Sequence, residues 1–246
     1  MVVVAAKYHS RQAKTAEDLR AAQVLRHRAF HGREIGPALD RDRFDVQCDH
    51  FLVEEAETGR LVGCFRCLHL SDGHEIGRTY SAQFYHLSAL HRFDGPLLEI
   101  GRFCIDPDVR DVDVLRVAWA AMTRYVDAHG VKMLFGCSSF QGIDATPYLD
   151  AFAMLKERHL APEQWCPEVK APSVFRFAER LRHRKPDAKQ AMLRMPPLLR
   201  TYLMMGGWVS DHAVIDRQMN TLHVFTGLQI EAIPATRKRL LRADAG

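Results

Sequence analysis

Residues 96–106 read PLLEIGRFCID, an apolar run that carries one glutamate and one arginine. Its apolar residues predict a buried strand, which Asp106 closes because the residue before a proline avoids helical geometry. Buried charges without partners are costly, so Glu99 and Arg102 need partners or a function. Strict alternation would place these two side chains on opposite faces, whereas a bulge at Gly101 would re-aim them. The pattern leaves two interpretations open: a structural ion pair at the strand end, or a carboxylate held as a base at a break in a sheet.

The composition is typical of a soluble globular protein with a sizeable core. The chain has 246 residues, of which 47% are apolar and 26% are charged, and its formal net charge is +4. This mild basic excess admits an acidic partner without requiring one, and we predict no nucleic-acid partner. The basic residues cluster locally, at residues 180–189 and 237–242.

The cysteines, the start of the chain and the apolar runs indicate where the protein acts. Six cysteines are scattered through apolar segments, which predicts free thiols in a reducing cytosol rather than disulfides. Cys64-x-x-Cys67 lacks a second cysteine or histidine pair, so we predict no metal site. Residues 1–6 lack the features of a signal peptide, and no apolar run approaches the length of a membrane span. We therefore predict a protein that is cytoplasmic or that lies on the surface of the inner membrane.

Apolar periodicity predicts helices that alternate with strands. A helix begins after Thr15 and carries Arg26 inside its apolar stripe. A hairpin of strands at residues 50–55 and 60–70 carries Arg66 on its apolar face and excludes a purely parallel sheet. The fold class is therefore mixed α/β or α+β, in a single domain of residues 1–246. The other predicted elements are a helical segment at 84–91, a helix at 114–129 capped by Asp113, a strand at 131–137, a turn at 138–142, a helix at 148–157, a short strand at 173–177, a helix at 198–208, and strands at 222–225 and 228–233.

Charged residues that the apolar pattern directs inward come from separate segments of the chain. A convergent, buried group of three arginines and three carboxylates fits a polar pocket in which the pKa of a carboxylate is tuned. The predicted members are Arg26, Arg66, Glu99 and Arg102, joined by Asp42 and Asp45 from the loop between the first helix and the hairpin.

The order and context of these charges resemble the acyl-homoserine lactone synthases, which have a GNAT-like fold and take their acyl chain from acyl carrier protein. The resemblance covers about residues 19–106. It implies a mostly antiparallel central sheet flanked by helices, with a splayed central strand. It also implies that Glu99 and Arg102 are catalytic and that Arg26, Asp42, Asp45, Arg66 and Phe103 bind substrate. The matching pattern is Leu25-Arg26-x-x-x-Phe30, Asp42-x-x-Asp45, Arg66 and Glu99-x-x-Arg102-Phe103.

The rest of the chain is more similar to a sister family, the N-acyltransferases that place a 3-hydroxy fatty acyl group on the α-amine of ornithine. These enzymes begin ornithine-lipid synthesis. The similar segments are EIGRFC at 99–104, LFGCSSFQG at 134–142, PPLLRTY at 196–202, GW at 207–208 and residues 214–225. This resemblance adds Ser138 and Ser139 as substrate-binding residues. It also implies a family-specific C-terminal extension at about residues 178–246.

One feature expected of a GNAT fold is missing from the sequence. The central strand is not followed by the Gln/Arg-x-x-Gly-x-Gly/Ala loop, whose backbone amides cradle the pyrophosphate of coenzyme A. Residues 106–113 read DPDVRDVD instead, with no glycine and four aspartates that would repel a pyrophosphate. A thioester carried by a protein needs no such cradle. We therefore predict that the donor is 3-hydroxyacyl-acyl carrier protein, whose phosphopantetheine thioester is a co-substrate, and that there is no cofactor.

The chemistry of amine acylation assigns roles to these residues. Glu99 is the predicted base, acting directly or through water, and Arg102 orients either Glu99 or the substrate carboxylate. Arg26 and Arg66, together with Asp42 and Asp45, are expected to order the loop that closes over the amino acid. Asp45 is also expected to contact the side-chain ammonium of ornithine. The acidic carrier protein is expected to dock on the basic run of Arg180, Arg182, Arg184 and Lys185, with residues 237–239 as a further basic segment; a merely solvated basic surface is the alternative.

Three alternatives to this function stay open. The first is acyl-homoserine lactone synthesis, and the second is acylation of another amino acid such as glutamine. The third is a non-enzymatic module that binds a lipid or an acidic protein, which leaves the inward charges at Glu99 and Arg102 unexplained. Covalent catalysis by Cys104 or Cys137 is disfavoured, because neither sequence context resembles a cysteine–histidine pair fixed by a third group.

Overall fold

A computed structural model describes residues 6–32 and 38–245 of the chain. Most of the N-terminal segment for which we predicted no signal peptide therefore lies outside the described residues. The described part contains seven α-helices and eleven strands. The helices are α1 (Ala16–His31), α2 (Val112–Ala128), α3 (Leu149–Arg158), α4 (Phe177–Arg180), α5 (Ala188–Arg194), α6 (Pro197–Met204) and α7 (Ala235–Ala245). The strands are β1 (Tyr8–Gln12), β2 (Asp49–Glu55), β3 (Leu61–Leu70), β4 (Tyr85–His86), β5 (Leu97–Ile105), β6 (Met133–Gln141), β7 (Glu168–Val169), β8 (Val174–Phe175), β9 (Trp208–Val209), β10 (Ala213–Asp216) and β11 (Thr221–Gln229).

The chain divides into two compact units, each built from several segments. The first unit comprises residues 1–68, 100–130 and 235–246, and the second comprises residues 69–99 and 131–234. The strand β5 contributes to both, because residues 97–99 belong to the second unit and the strand continues in the first. The division into units does not follow the predicted C-terminal extension, whose residues fall in both. That the chain is a single domain stays a prediction.

The first unit carries the order β1-β2-β3-β5, with antiparallel pairing of β1 to β2 and of β2 to β3. Helix α1 begins where predicted: Thr15 caps it by accepting a hydrogen bond from Asp18 N, and Asp18 reciprocates in a capping box. The apolar side of α1 packs through Ala22 and Leu25 against Leu52, Cys64 and Cys104 of the strands. This packing fixes which residues of α1 point toward the sheet.

The second unit carries the order β5-β6-β11-β10-β8. The long antiparallel pair β6–β11 is its centre, with Met133 opposite Gln229 at one end and Gln141 opposite Thr221 at the other. By contrast, β5 pairs with β6 in parallel, over residues 97–99 and 133–135 only. The pairing ends at Glu99, a residue for which the sequence left two interpretations open, a structural ion pair or a base at a break in the sheet. The core of this unit forms where Phe140 and Phe152 pack with apolar residues of α3 to α6.

The predicted fold class, a mixed and mostly antiparallel sheet with helices, is confirmed. The central strand, the hairpin and the helices at α2 and α3 are also confirmed to within a few residues. Helix α2 is capped by Asp111 instead of Asp113, because the Asp111 side chain accepts a hydrogen bond from Asp113 N. The two strands predicted at 222–225 and 228–233 are one strand, β11, and β1 and β10 were not predicted.

Two local predictions were wrong for a shared reason. Residues 84–91 form no helix; they contain β4, which pairs with β7 about eighty residues later, and the start of a 3-10 turn. Residues 138–141 form no turn, because β6 continues to Gln141 along its partner β11. In both places a strand partner that is distant in sequence overrides the local pattern.

Candidate active site

Arg26 lies on the buried face of α1 and is 1% exposed. Its guanidinium donates to the carboxylate of Asp40 at 2.9 Å and to the carboxylate of Asp45 at 2.8 Å. The amide of Gln23, one turn earlier on the same helix, also donates to Asp45, at 2.9 Å. The sequence prediction that Arg26 points inward is confirmed, and the acidic partners it required are both in the loop after α1.

Arg66 and Arg102 bind the same loop from two strands. Arg66, on β3, donates to both oxygens of Asp42, at 2.6 and 2.9 Å, and to Asp45 at 2.6 Å. Arg102, on β5, donates to Asp40 at 3.0 Å and to Asp42 at 3.1 Å. Each of the three aspartates therefore bridges two arginines.

Together these six side chains form a closed ring of alternating charge, which we call the arginine–aspartate ring. In order around it are Arg26, Asp40, Arg102, Asp42, Arg66 and Asp45. Three cations balance three anions, so each buried charge has partners of opposite sign on both sides. The ring ties α1, β3 and β5 of the first unit to residues 40–45.

The ring lowers the pKa of two of its carboxylates, Asp42 and Asp45. Burial by itself would raise the pKa of Asp45, but the hydrogen bond and charge of Arg26 outweigh burial and hold the pKa well below its ordinary value. The pKa of Asp42 is lowered against its own burial in the same way, mainly by Arg66. A lowered carboxyl pKa stabilises the fold above the ordinary value of about 4, and this contribution is lost as the pH falls below it.

Asp40 was missing from the predicted set, which had Glu99 as the third carboxylate. It lies two residues before Asp42 in the alternating run DRDRFD at residues 40–45. The sequence signal that could have identified Asp40 is its place in this acidic run, which contains two aspartates that were already predicted to be buried. The run itself cannot say which aspartates are buried, because burial depends on α1 and the strands.

The backbone irregularity of β5 falls on Arg102 and not on Gly101. Arg102 has φ of +51°, in the left-handed region that costs a residue with a side chain on the order of 1–3 kcal/mol. Its two ion pairs to Asp40 and Asp42 hold it there. The next residue, Phe103, stacks on Phe65 with ring centroids 5.5 Å apart. The predicted role of Phe103 in binding substrate stays a prediction.

Glu99 lies in the second unit and has different partners. It is 6% exposed, and its Oε1 accepts hydrogen bonds from Ser81 N at 2.7 Å and from Ser81 Oγ at 2.6 Å. Its Oε2 accepts from Tyr80 N at 2.8 Å. Ser81 Oγ also lies 3.5 Å from Cys137 Sγ. No sequence signal pointed to Tyr80 and Ser81, because no spacing rule relates residues 80 and 81 to residue 99.

The two serines predicted to bind substrate lie on β6. Ser138 is buried, and its Oγ accepts a hydrogen bond from Thr226 Oγ1 at 2.9 Å. Ser139 is exposed and stands opposite His223 in the strand register. Because β6 extends to Gln141, both serines lie within the strand and not in a turn after it. Their role toward a substrate stays a prediction.

The basic run predicted to dock the carrier protein is exposed in the second unit. Arg184 is bound to Asp150, with its Nη2 3.0 Å from the carboxylate. Arg180 lies over the ring of Phe175, with 6.0 Å to the centroid, and Arg182 donates to His183 at 3.0 Å. One of the cations is therefore balanced locally, while Arg180 and Arg182 are exposed without an acidic partner among the described residues. The basic segment at residues 237–239 belongs to the first unit.

The aspartates of residues 106–113 are already paired with cations, which weakens the argument from repulsion. At the N-terminus of α2, Asp111 Oδ1 accepts a hydrogen bond from Asp113 N at 3.0 Å. That helix end therefore carries a carboxylate of its own. The pairs are Asp106 with Arg28 and Arg60, Asp108 with Arg28, Asp111 with Lys7 and Asp113 with Arg116.

The described residues contain neither a group of metal ligands nor a helix that could span a membrane. Among residues 6–32 and 38–245, no group of three or more histidine, cysteine, aspartate or glutamate side chains is arranged to hold a metal ion. Within the same ranges, no helix has both the length and the apolar character that crossing a membrane requires. The six cysteines are free, and the sulfurs of Cys64 and Cys104 lie 3.6 Å apart in the first unit.

The chain is similar to known proteins both in sequence and in structure. Residues 25–120 match the family described as acetyltransferase (GNAT) domain. Among solved structures, the chain is similar to an N-acyl amino acid synthase from uncultured soil microbes, with a TM-score of 0.48 and 11% identity over 91% of each chain. It is also similar to a CoA-dependent acyl-homoserine lactone synthase, with a TM-score of 0.49 and 14% identity over 98% of this chain and 89% of the other.

Curated relatives are more similar in sequence. The chain is 33% identical to the L-ornithine N(alpha)-acyltransferase of Rhodobacter capsulatus, over 95% of this chain and 94% of the relative. It is 28% identical to the L-ornithine N(alpha)-acyltransferase of Rhizobium meliloti, over 98% of this chain and 86% of the relative. These matches span both the arginine–aspartate ring and the Glu99 site. The chain therefore belongs to the L-ornithine N(alpha)-acyltransferase family and has a GNAT-like fold.

Proposed function

We propose that this protein transfers a 3-hydroxy fatty acyl group from acyl carrier protein to the α-amine of ornithine. Family membership supports the acceptor and the type of reaction. The observation that carries the chemistry is the buried carboxylate of Glu99, held by three hydrogen-bond donors at the point where β5 stops pairing with β6. The proposal places the enzyme in the cytoplasm, at the inner surface of the membrane that takes up its amphiphilic product.

Glu99 acts as the general base in this proposal. The α-amine of ornithine is mostly protonated at neutral pH, so a proton must leave before the nitrogen can attack. Glu99 takes that proton, directly or through water, while a nitrogen–carbon bond forms at the thioester carbonyl. The carbon–sulfur bond then breaks, and the second proton that the nitrogen loses passes to the departing thiolate. The proton held by Glu99 returns to solvent, which leaves an amide, the free phosphopantetheine thiol and an ionised Glu99.

The arginine–aspartate ring has a positioning role in this proposal. Asp45 already accepts hydrogen bonds from Gln23, Arg26 and Arg66, and its side chain is buried, so the proposal gives it no contact with the ammonium of ornithine. The ring instead fixes the loop at residues 40–45 and the unusual backbone of Arg102. The ring therefore contributes a fixed geometry, because its three positive and three negative charges already pair with one another.

The choice of acyl carrier protein as donor rests on the N-terminus of α2. In a coenzyme A site, backbone amides at such a helix end bind the pyrophosphate. Here Asp111 occupies the amide of Asp113, and residues 106–113 contain no glycine that would let a phosphate approach the backbone. A carrier-protein thioester has no adenosine diphosphate group to place there.

We expect the purified protein to acylate ornithine from 3-hydroxyacyl-acyl carrier protein and to leave S-adenosylmethionine unchanged. The assay supplies ornithine, glutamine or S-adenosylmethionine in parallel, each with the carrier-protein thioester or with the matching acyl-CoA, and identifies products by mass spectrometry. A lactone from S-adenosylmethionine, with no amide from either amino acid, would replace this function with lactone synthesis. Equal rates with acyl-CoA and with the carrier-protein thioester would contradict the choice of donor that rests on the N-terminus of α2.

Reversing two exposed charges tests the carrier-protein contact. The double variant Arg180→Glu/Arg182→Glu should raise the apparent KM for the acyl carrier protein on the order of tenfold at low salt, with little change in kcat, because charges at the rim of an interface act mainly on encounter. Arg184 is left intact, since its reversal would also repel Asp150.

The matched control makes the same charge change on another surface, as Lys14→Glu/Arg20→Glu in the first unit. Steady-state kinetics at several salt concentrations measures both variants. If the two variants have the same KM, docking does not use Arg180 and Arg182, and residues 237–239 become the next segment to test.

A further inference from the structure

The residues that hold Glu99 form a short turn whose free amides are directed at its carboxylate. Residues 81–83 make one 3-10 turn, in which Gln83 N donates to Tyr80 O at 3.1 Å and Phe84 N donates to Ser81 O at 3.0 Å. The first amides of such a turn have no partner within it. Here the amides of Tyr80 and Ser81 donate to the two oxygens of Glu99, at 2.8 and 2.7 Å.

The turn is anchored by contacts that do not involve Ser81. Thr79 is buried, and its hydroxyl donates to Ile76 O at 2.7 Å and accepts from Ala82 N at 3.2 Å. On the other side, Lys170 Nζ donates to Ala82 O at 2.5 Å. The backbone of residues 79–82 is therefore fixed on both sides of Ser81. Loss of the serine hydroxyl would leave the two amides in place.

The hydroxyl of Ser81 is the third donor, and it makes the shortest of the three bonds to Glu99, at 2.6 Å. An ionised carboxylate can only accept, so the hydroxyl proton lies on the bond from Ser81 to Glu99. The Ser81 oxygen is then free to accept from the thiol of Cys137, 3.5 Å away. Ser81 is 0% exposed, so water does not compete for this proton.

We propose that Ser81 is a positioning residue for Glu99, and that the serine hydroxyl holds the carboxylate in its orientation. The amide of Tyr80 donates to Oε2 of Glu99 and the amide of Ser81 donates to Oε1. The Ser81 hydroxyl adds a second hydrogen bond to Oε1. The additional bond from the hydroxyl restricts rotation of the carboxylate about its last bond. The inference rests on the proposed role of Glu99 as base, but not on which amine is acylated.

Ser81→Ala should lower kcat on the order of tenfold with little change in KM for the amino acid, because a misplaced base slows the chemical step more than binding. The acidic limb of the pH–rate profile should move to higher pH, since loss of a donor to the charged form disfavours that form. Ser81→Cys replaces the hydroxyl with a slightly larger thiol, which is a weak donor, so both effects should be intermediate.

Ser210→Ala is the matched control. Ser210 is also 0% exposed and in the second unit, but its hydroxyl donates to His212 O and accepts from Phe225 N. Thermal unfolding of all variants separates stability from catalysis. If Ser81→Ala changes kcat and the pH profile no more than Ser210→Ala does, Ser81 has no positioning role.

A double-mutant cycle with Glu99→Gln provides the sharpest test. If Ser81 acts only through Glu99, adding Ser81→Ala to Glu99→Gln should cause no further loss of kcat. Losses that multiply would show that Ser81 acts independently and would overturn the proposal. The cycle is read with whichever amino acid the wild type accepts. Absence of acylated ornithine therefore counts against the proposed function alone, and a multiplicative cycle counts against the role of Ser81 alone.

Discussion

Glu99→Gln should lower kcat for acyl transfer on the order of a hundredfold or more, because glutamine cannot take the proton that the amine must lose. The amide oxygen can still accept both bonds from Ser81, whereas its NH₂ group would face the N–H of Tyr80. That contact between two donors costs on the order of 1–3 kcal/mol, which leaves the fold intact but lowers stability measurably.

Kinetics between about pH 6 and 9 and a urea denaturation curve separate the two effects. Glu99→Asp serves as a comparison, since it keeps a carboxylate but withdraws it by one methylene from its three donors. We expect its rate to lie between those of the wild type and Glu99→Gln. A Glu99→Gln enzyme that turns over at nearly the wild-type rate across this pH range would show that Glu99 is not the base.

Arg26→Ala should lower the free energy of unfolding by about 3–5 kcal/mol, the largest stability loss that we expect from a single change in this protein. The substitution opens the arginine–aspartate ring at a position that is 1% exposed, and it leaves Asp40 and Asp45 each with one arginine. The ring would then hold three negative charges against two positive ones, which leaves buried carboxylate charge without compensation. Because the ring also holds the φ of Arg102, activity should fall as well.

Arg20→Ala is the control, since Arg20 is an exposed arginine on the same helix. We expect it to change the free energy of unfolding by no more than about 0.5 kcal/mol. Arg26→Lys keeps the charge but loses the planar fork, so it should fall between the two. Urea denaturation measures all three, and equal losses for Arg26→Ala and Arg20→Ala would mean that the ring adds nothing to stability.

The catalytic candidates show how sequence patterns both succeeded and failed. Arg26 and Arg66 were correctly predicted to be buried, because each stands at a position that periodicity assigns to an apolar face. The predicted group of three arginines and three carboxylates also exists, with Asp40 in place of Glu99. A loop has no periodicity, so the aspartates that would turn inward could not be read from residues 40–45.

Sequence patterns were sufficient to predict the elements whose side chains repeat with a clear period and the charges that interrupt such a period. These features depend on residues close together in the chain, as in α1, the hairpin and β5. The partners of those charges are set by tertiary contacts: the ring closes through Asp40, and the turn at Tyr80 and Ser81 holds Glu99. Contacts between segments tens of residues apart leave no periodic trace, because a hydrogen bond needs a donor and an acceptor at the right distance and not at a fixed spacing in the chain.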